Sequence, residues 1–327
     1  MTNDFRRNMR SKQLNLDAYD TGKIKFRYLE IYDPILVPWI GKAITLLEIG
    51  VYRGGSLKLW CDYFPRGAVV GIDRKLPQHF HLGERIQIFE GSQADKKFLS
   101  KVANETAPGG FDIVIDDASH IGELTRTTFW HLFDHHLKPG GLYAIEDWGT
   151  GYLDDFSDGK TFDPKPSILG GVQSVLAQRF SKRIKVPVPC HSYGMVGFIK
   201  ELVDEQGAAS IAMGHKADWR RSKFKNLLIT PRIVFVTKAA STLTAFPNPV
   251  PAGDGVGKTM ISWNVANAIA GKVYVSIDDH QELLFASAQQ GLAAANWIRT
   301  GSTYEFRLYD SDHTRLLDKL VVTRATQ

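Results

Sequence analysis

The chain has 327 residues, 43% hydrophobic and 23% charged, about two domains at roughly 100–200 residues each; this ordinary globular balance excludes wholesale disorder, a fibrous repeat and a disulfide scaffold. Its two cysteines, Cys61 and Cys190, fit a reducing compartment and support neither a disulfide framework nor a structural zinc site. A formal charge of +5 is mild for this length and does not by itself call for nucleic acid.

Met1–Lys12 is polar and basic and lacks the apolar stretch of a secretory signal, and residues 1–25 read as polar and partly loose. No apolar run reaches the roughly 18 residues of a membrane span, so a cytoplasmic chain with no membrane partner is expected. From Ile24 to Trp39 an apolar pattern predicts a helix interrupted at Pro34. Strands are then predicted at Ile44–Ile49, Ala68–Ile72, Arg85–Phe89, Phe111–Ile115 and Leu142–Ile145, with helices at Ser56–Tyr63, Asp95–Glu105 and Leu124–Leu137. Such alternation means parallel βαβ units in a doubly wound, mostly parallel α/β sheet.

Trp148–Pro166, rich in Gly, Asp and Pro, reads as a long loop, and one this long is usually functional, often a lid. Ser167–Phe180 is predicted helical, Ile184–Val188 and Met195–Lys200 as strands, and Leu227–Lys238 as β structure broken at Pro231. Three prolines in Ala245–Ala252 suggest a linker, dividing the chain into domains 1–244 and 245–327. Beyond it come short runs at Thr259–Val265, Lys272–Ile277, Glu282–Ala286, Thr303–Tyr309 and Leu317–Thr323, which predict a small all-β sandwich.

The stretch Glu48-Ile49-Gly50-Val51-Tyr52-Arg53-Gly54-Gly55-Ser56 leads from strand to helix through a glycine-rich turn. Gly50 lets a ligand approach the backbone, and Gly54 and Gly55 open a helix whose free N–H groups favour negative charge. The spacing is G-x-x-x-G-G, not the G-x-G-x-x-G of a packed pyrophosphate. Glu48 suits a cationic or hydroxyl-bearing ligand instead. The second strand ends in Asp73, an acid placed to accept both ribose hydroxyls of a nucleoside. The third ends in Gly91-Ser92-Gln93-Ala94-Asp95, where an adenine edge can sit.

The fourth strand ends in Asp116-Asp117-Ala118-Ser119-His120 and the fifth in Glu146-Asp147-Trp148. Neighbouring strands lie about 4.8 Å apart, and like charges that close are costly unless one is protonated or a cation binds between them. A hard divalent ion, magnesium above all, answers this with oxygen ligands. Asp117, Glu146 and Asp147 are the expected metal ligands, with His120 as base. Asp116 is either part of the donor site or a cap on a helix or the sheet edge.

LEIGVYRGGSLKLW, GID, GSQAD, FDIVIDDASH and LKPGGLYAIEDW together resemble class I S-adenosylmethionine-dependent methyltransferases. They look most like the metal-dependent sugar O-methyltransferases of macrolide biosynthesis, over roughly residues 19–200. The resemblance implies a Rossmann-like fold, S-adenosylmethionine and Mg2+ as cofactors, and transfer of a methyl group to a hydroxyl. The expected donor-binding set is Glu48, Gly50, Tyr52, Gly54, Ser56, Asp73, Ser92, Gln93, Asp116 and Asp117. Asp117, Glu146 and Asp147 would hold the metal and His120 would be catalytic. The partner would be a small-molecule or glycan acceptor, and a homo-oligomer is compatible with this reading. The C-terminal module lies outside the pattern and resembles immunoglobulin-like or fibronectin-like sandwiches.

Other motifs carry less. Ala252–Thr259 fits a relaxed phosphate-loop spacing, but a strand is expected after it where such a loop needs a helix. His131 and His135 lack the glutamate of H-E-x-x-H. Asp278-Asp279-His280 reads as a hairpin turn, and Trp219–Lys225 as a solvated basic face. Rival readings are methylation of a catechol or polyketide hydroxyl, an iron-dependent oxygenase, which would need a second histidine, and a glycan-binding protein with an inactive methyltransferase fold.

Overall fold

In the computed structural model, which describes residues 9–76, 83–161, 192–215, 221–266 and 270–326, the apolar runs of the first half become strands. β1 (Thr45–Ile49), β2 (Ala68–Asp73), β3 (Ile86–Glu90), β4 (Phe111–Asp116), β5 (Leu137–Glu146), β6 (Phe224–Ile229) and β7 (Ile233–Lys238) form one sheet in the order β3-β2-β1-β4-β5-β7-β6. Pairing is parallel from β3 through β5, and β7 runs antiparallel to β5. Leu46, Leu47, Ile113, Val114, Ile115, Ala144 and Ile145 are fully buried, as strands covered on both faces require. The expected mixed α/β, Rossmann-like sheet is therefore present.

The described helices are α1 (Gly22–Lys25), α2 (Leu29–Leu36), α3 (Gly55–Tyr63), α4 (Lys96–Thr106), α5 (Gly122–His135), α6 (Gly194–Gln206) and α7 (Ala208–His215). The Asp95 carboxylate caps α4 by accepting the N–H groups of Lys97 and Phe98 at 3.0 and 3.1 Å. Strand order reverses between β1 and β4, and open α/β sheets bind ligands beyond the strand tips at such a point. Gly50, at the β1 tip, has a φ of 103°, and a Cβ there would fall 2.1 Å from the Asp117 carbonyl oxygen. Gly50→Ala therefore forces the β1 and β4 tips apart. The expected result is a loss of more than about 1 kcal/mol, read as a lowered midpoint in chemical denaturation.

Several expectations are corrected. Met195–Lys200 is helical, inside α6. Met195, Phe198, Ile199 and Leu202 are buried at helical spacing, and a six-residue apolar run does not by itself separate strand from helix. Pro34 lies within α2 and does not interrupt it; full burial of Tyr32 and Leu36 fixes this short helix through packing. Residues 9–25 are not loose. Arg10 donates to the carbonyls of Asp62 and Tyr63. Buried Ser11 donates to Asp33, which also accepts from the Tyr63 hydroxyl, while Leu14, Leu16, Tyr19 and Ile24 pack on the core. Ser167–Phe180 and Ile184–Val188 lie outside the described residues.

The chain divides into a unit of Met1–Val203 with Leu227–Thr237 and a unit of Asp204–Asn226 with Lys238–Gln327. The second unit contains β8 (Thr242–Phe246), β9 (Gly257–Asn264), β10 (Gly271–Ile277), β11 (Leu283–Ser287), β12 (Gln290–Ile298), β13 (Tyr304–Asp310) and β14 (Leu316–Val322). These form antiparallel sheets of order β11-β10-β13-β14 and β12-β9-β8 over one core. Ala245 and Phe246, expected in a linker, pair with β9, and the alanine-rich β12 carries too little β-branched signal to have been expected. The segment before β9 leads into a strand, so no phosphate loop forms there.

Within this unit burial raises the Glu282 carboxyl, but Arg307 at 2.9 Å and His313 at 2.7 Å outweigh it and hold it below the usual range. A depressed carboxyl contributes stability above its unfolded value and loses it as pH falls through the folded one. Denaturation should accordingly show Glu282→Gln less stable than the parent at pH 7 and converging with it at acid pH.

Candidate active site

Beyond the tips of β1, β2 and β4 opens a cavity of about 570 Å³. Its wall includes Gly50, Tyr52, Ser56, Asp73, Ser92, Gln93 and Asp117, all expected at a donor site. The Asp73 carboxylate accepts the backbone N–H groups of Val51 and Tyr52 at 2.8 and 2.9 Å, which fixes the glycine turn. Gln93 accepts from the Ser119 N–H at 3.2 Å and donates to Thr128 at 3.3 Å, joining the third and fourth strand tips. Asp20, Thr21 and Gly22 also line the cavity, a contribution that the sequence reading missed.

The structure does not bring Glu48, Gly54 or Asp116 to this wall. Glu48 is fully buried; it accepts from Ser56 Oγ at 2.6 Å and Trp60 Nε1 at 3.1 Å, bracing β1 against α3. Gly54 is buried where it caps α3. Asp116 follows the strand's two-residue alternation and points away from Asp117. It meets the Tyr143 hydroxyl at 3.3 Å, and burial pushes it up to about 7.

Asp117, His120 and Asp147 converge, each offering a ligand atom within 4.8 Å of the others. His120 Nε2 stands 3.8 Å from Asp117 Oδ1. His120 and Asp147 have φ values of 53° and 52°, in the left-handed region, which costs of order 1–3 kcal/mol at a residue other than glycine and clusters at functional sites. The backbone is thus bent at both strand tips to aim these side chains at one point. Asp147 accepts a hydrogen bond from the Tyr28 hydroxyl, and its backbone N–H donates to the Arg232 carbonyl at 2.8 Å.

Glu146, the third expected metal ligand, is engaged elsewhere. It is 1% exposed; both its oxygens lie 2.8 Å from Lys23 Nζ, and Tyr32 donates to it at 2.6 Å. Burial raises Glu146, repulsion from Asp117 adds to this, and Lys23 opposes both. Burial would lower Lys23, but Asp117, Glu146 and Glu48 together hold it well above its ordinary value. Lys23, Tyr28 and Tyr32 were not legible as site residues: Lys23 is an isolated side chain in a polar stretch, and the two tyrosines read as part of the apolar pattern Ile24–Trp39.

The donor set can be weighed by its chemistry. Two carboxylates at one point fit a divalent ion, whereas an imidazole is a poor partner for magnesium, which favours His120 as a proton acceptor beside an ion rather than as its ligand. The triad holds a single histidine, short of the two that the oxygenase reading requires. The described part of the 148–166 loop is fastened rather than open. Asp158 accepts the N–H groups of Gly122 and Met195 at 2.8 and 2.7 Å, and the Phe156 ring stands 6.0 Å from that of His120. No helix among the described residues is long and apolar enough to cross a membrane.

No family model matches the chain. It is 42% identical over 142 residues to mycinamicin VI 2''-O-methyltransferase of Micromonospora griseorubida, covering 41% of this chain and 34% of that protein. It is 34% identical over 198 residues to demethylmacrocin O-methyltransferase of Streptomyces fradiae, covering 54% and 49% respectively. Among solved structures, the MycE methyltransferase of the mycinamycin biosynthetic pathway, in complex with Mg, SAH and mycinamycin VI, matches with 30% identity and a TM-score of 0.47. That match covers 65% of this chain and 49% of the solved one. The chain spans half or less of the length of these curated relatives. The resemblance drawn from the motifs to macrolide sugar O-methyltransferases is borne out.

Proposed function

We propose that the chain is an S-adenosylmethionine- and divalent-ion-dependent O-methyltransferase acting on a hydroxyl of a sugar or another polyhydroxylated small molecule. The observation that carries this reading is the convergence of Asp117, His120 and Asp147 beside a cavity at the β1/β4 reversal, itself walled by Gly50, Asp73 and Gln93. Asp117 and Asp147 would hold the ion and the cavity the donor. When bound, the donor supplies an electrophilic methyl group and the ion lowers the pKa of an acceptor hydroxyl.

The chain's own residues do the rest. His120 Nε2, 3.8 Å from Asp117 Oδ1, accepts the hydroxyl proton. Asp73 keeps the turn in the shape that receives the donor, and Phe156 walls the acceptor side near His120. Alignment of oxygen and methyl is where such a site gains most of its rate. Sparse cysteine supports a cytoplasmic setting for this activity.

We also infer that the C-terminal module, expected over 245–327, is fibronectin-like or immunoglobulin-like. Three strands face four in the arrangement such sandwiches use, and Tyr304, opening β13, accepts the Arg299 N–H at 2.9 Å and donates to the Trp297 carbonyl, a tyrosine corner. The activity is tested by incubating the chain with labelled S-adenosylmethionine, Mg2+ and glycosylated macrolide or polyketide acceptors. Label on the sugar, abolished by EDTA, is expected; EDTA-insensitive transfer would remove the ion from the account.

A further inference from the structure

One short N-terminal segment touches both halves of the site. Asp20, Thr21 and Gly22 line the cavity, and the next residue, Lys23, enters the acids. Its Nζ lies 2.7 Å from Asp117 Oδ2, 2.8 Å from both Glu146 oxygens and 3.2 Å from Glu48 Oε1, and the residue is 2% exposed. The segment is seated on the N-terminal side of this lysine. Thr21 Oγ1 accepts the Lys23 N–H at 3.3 Å. The Asp20 backbone lies so close to Gly55 that a Cβ there would fall 2.0 Å from the Asp20 carbonyl oxygen.

An ammonium among these oxygens does what a metal ion would do: it offsets the repulsion of acids gathered in a buried place. A divalent ion bound by Asp117 and Glu146 needs the same lone pairs, and two cations within a few ångströms repel strongly away from water. We propose that Lys23 is a built-in counter-cation that competes with the divalent ion for Asp117 and Glu146. Ion loading expels Lys23, frees Glu146 to join Asp117 and Asp147, and loosens the segment from the cavity wall. Ion and donor sites are thereby coupled through residues 20–23. The proposal rests on the metal-dependent reading above and assigns to Lys23 a role in the assembly of that site.

Two measurements on the full chain test it. Chelated protein is pulsed with a water-soluble acylating ester, with and without saturating Mn2+, and each lysine is quantified by peptide mass spectrometry. Lys23 acylation should rise at least tenfold with Mn2+, while exposed Lys25 stays constant. Separately, Mn2+ binding is followed by the electron paramagnetic resonance of the free ion. Lys23→Met should bind at least tenfold more tightly than the parent, and if that variant does not fold, the labelling of the parent decides alone. Mn2+ bound with Lys23 still protected, or bound no more tightly by Lys23→Met, would overturn the competition and leave the ion site standing. Absence of Mn2+ binding in both proteins would overturn the ion site and the competition together.

Discussion

Replacing His120 by alanine should lower kcat by about 10²–10⁴-fold, the usual contribution of a positioned general base, while donor affinity stays near that of the parent. The residue stands at the end of the β4 tip in a left-handed conformation, 3.8 Å from Asp117 and beside the cavity rather than in its wall. Single-turnover kinetics with labelled donor would separate the proton step from binding. A loss confined to donor affinity would reassign His120 to the binding wall.

The second large effect is expected at Asp147. Asparagine keeps the side chain's shape and tolerates the left-handed backbone found there, so Asp147→Asn should fold. It loses the charge that would hold an ion with Asp117. Removing a residue that merely orients a ligand already costs about 10–100-fold in metal affinity, so a direct ligand should cost at least tenfold. The rate should fall at low Mg2+ and partly recover as Mg2+ is raised, whereas Glu282→Gln, in the second unit, should leave the Mg2+ requirement unchanged.

The parts of this account that were legible in the sequence are those where a local signal coincides with a strand end. Short, largely apolar runs of four to six residues marked β1 to β5, and the acids after them fell at the strand tips because that is where polar residues follow an apolar run. Strand alternation limited this logic. Asp116 and Asp117 are neighbours, so they face opposite ways, and only Asp117 reaches the cavity. Glu146 and Asp147 part for a different reason: the strand ends at Glu146, and the left-handed backbone at Asp147 turns its carboxylate towards His120 while Glu146 stays on Lys23. Lys23 was illegible for another reason: its partners are 94 and 123 residues away, and a single lysine in a polar stretch looks the same whether it ends in water or among carboxylates. The helix at α6 was misread because its apolar run was too short to show a period. The second unit's strands were legible from turns and alternation, except β8, which runs into the proline-rich stretch read as a linker, and β12, whose small alanines carry little strand preference.

The central claim is that acids from two neighbouring strand tips gather one divalent ion next to the donor's methyl group. Crystals grown with Mn2+ and S-adenosylhomocysteine test it most directly through the anomalous signal of the metal. A single strong peak within coordination distance of Asp117 and Asp147, facing the sulfur of the bound nucleoside, is the predicted result. A peak elsewhere, or a nucleoside in the cavity with Lys23 still seated on Asp117 and Glu146 and no metal signal at saturating Mn2+, would contradict it.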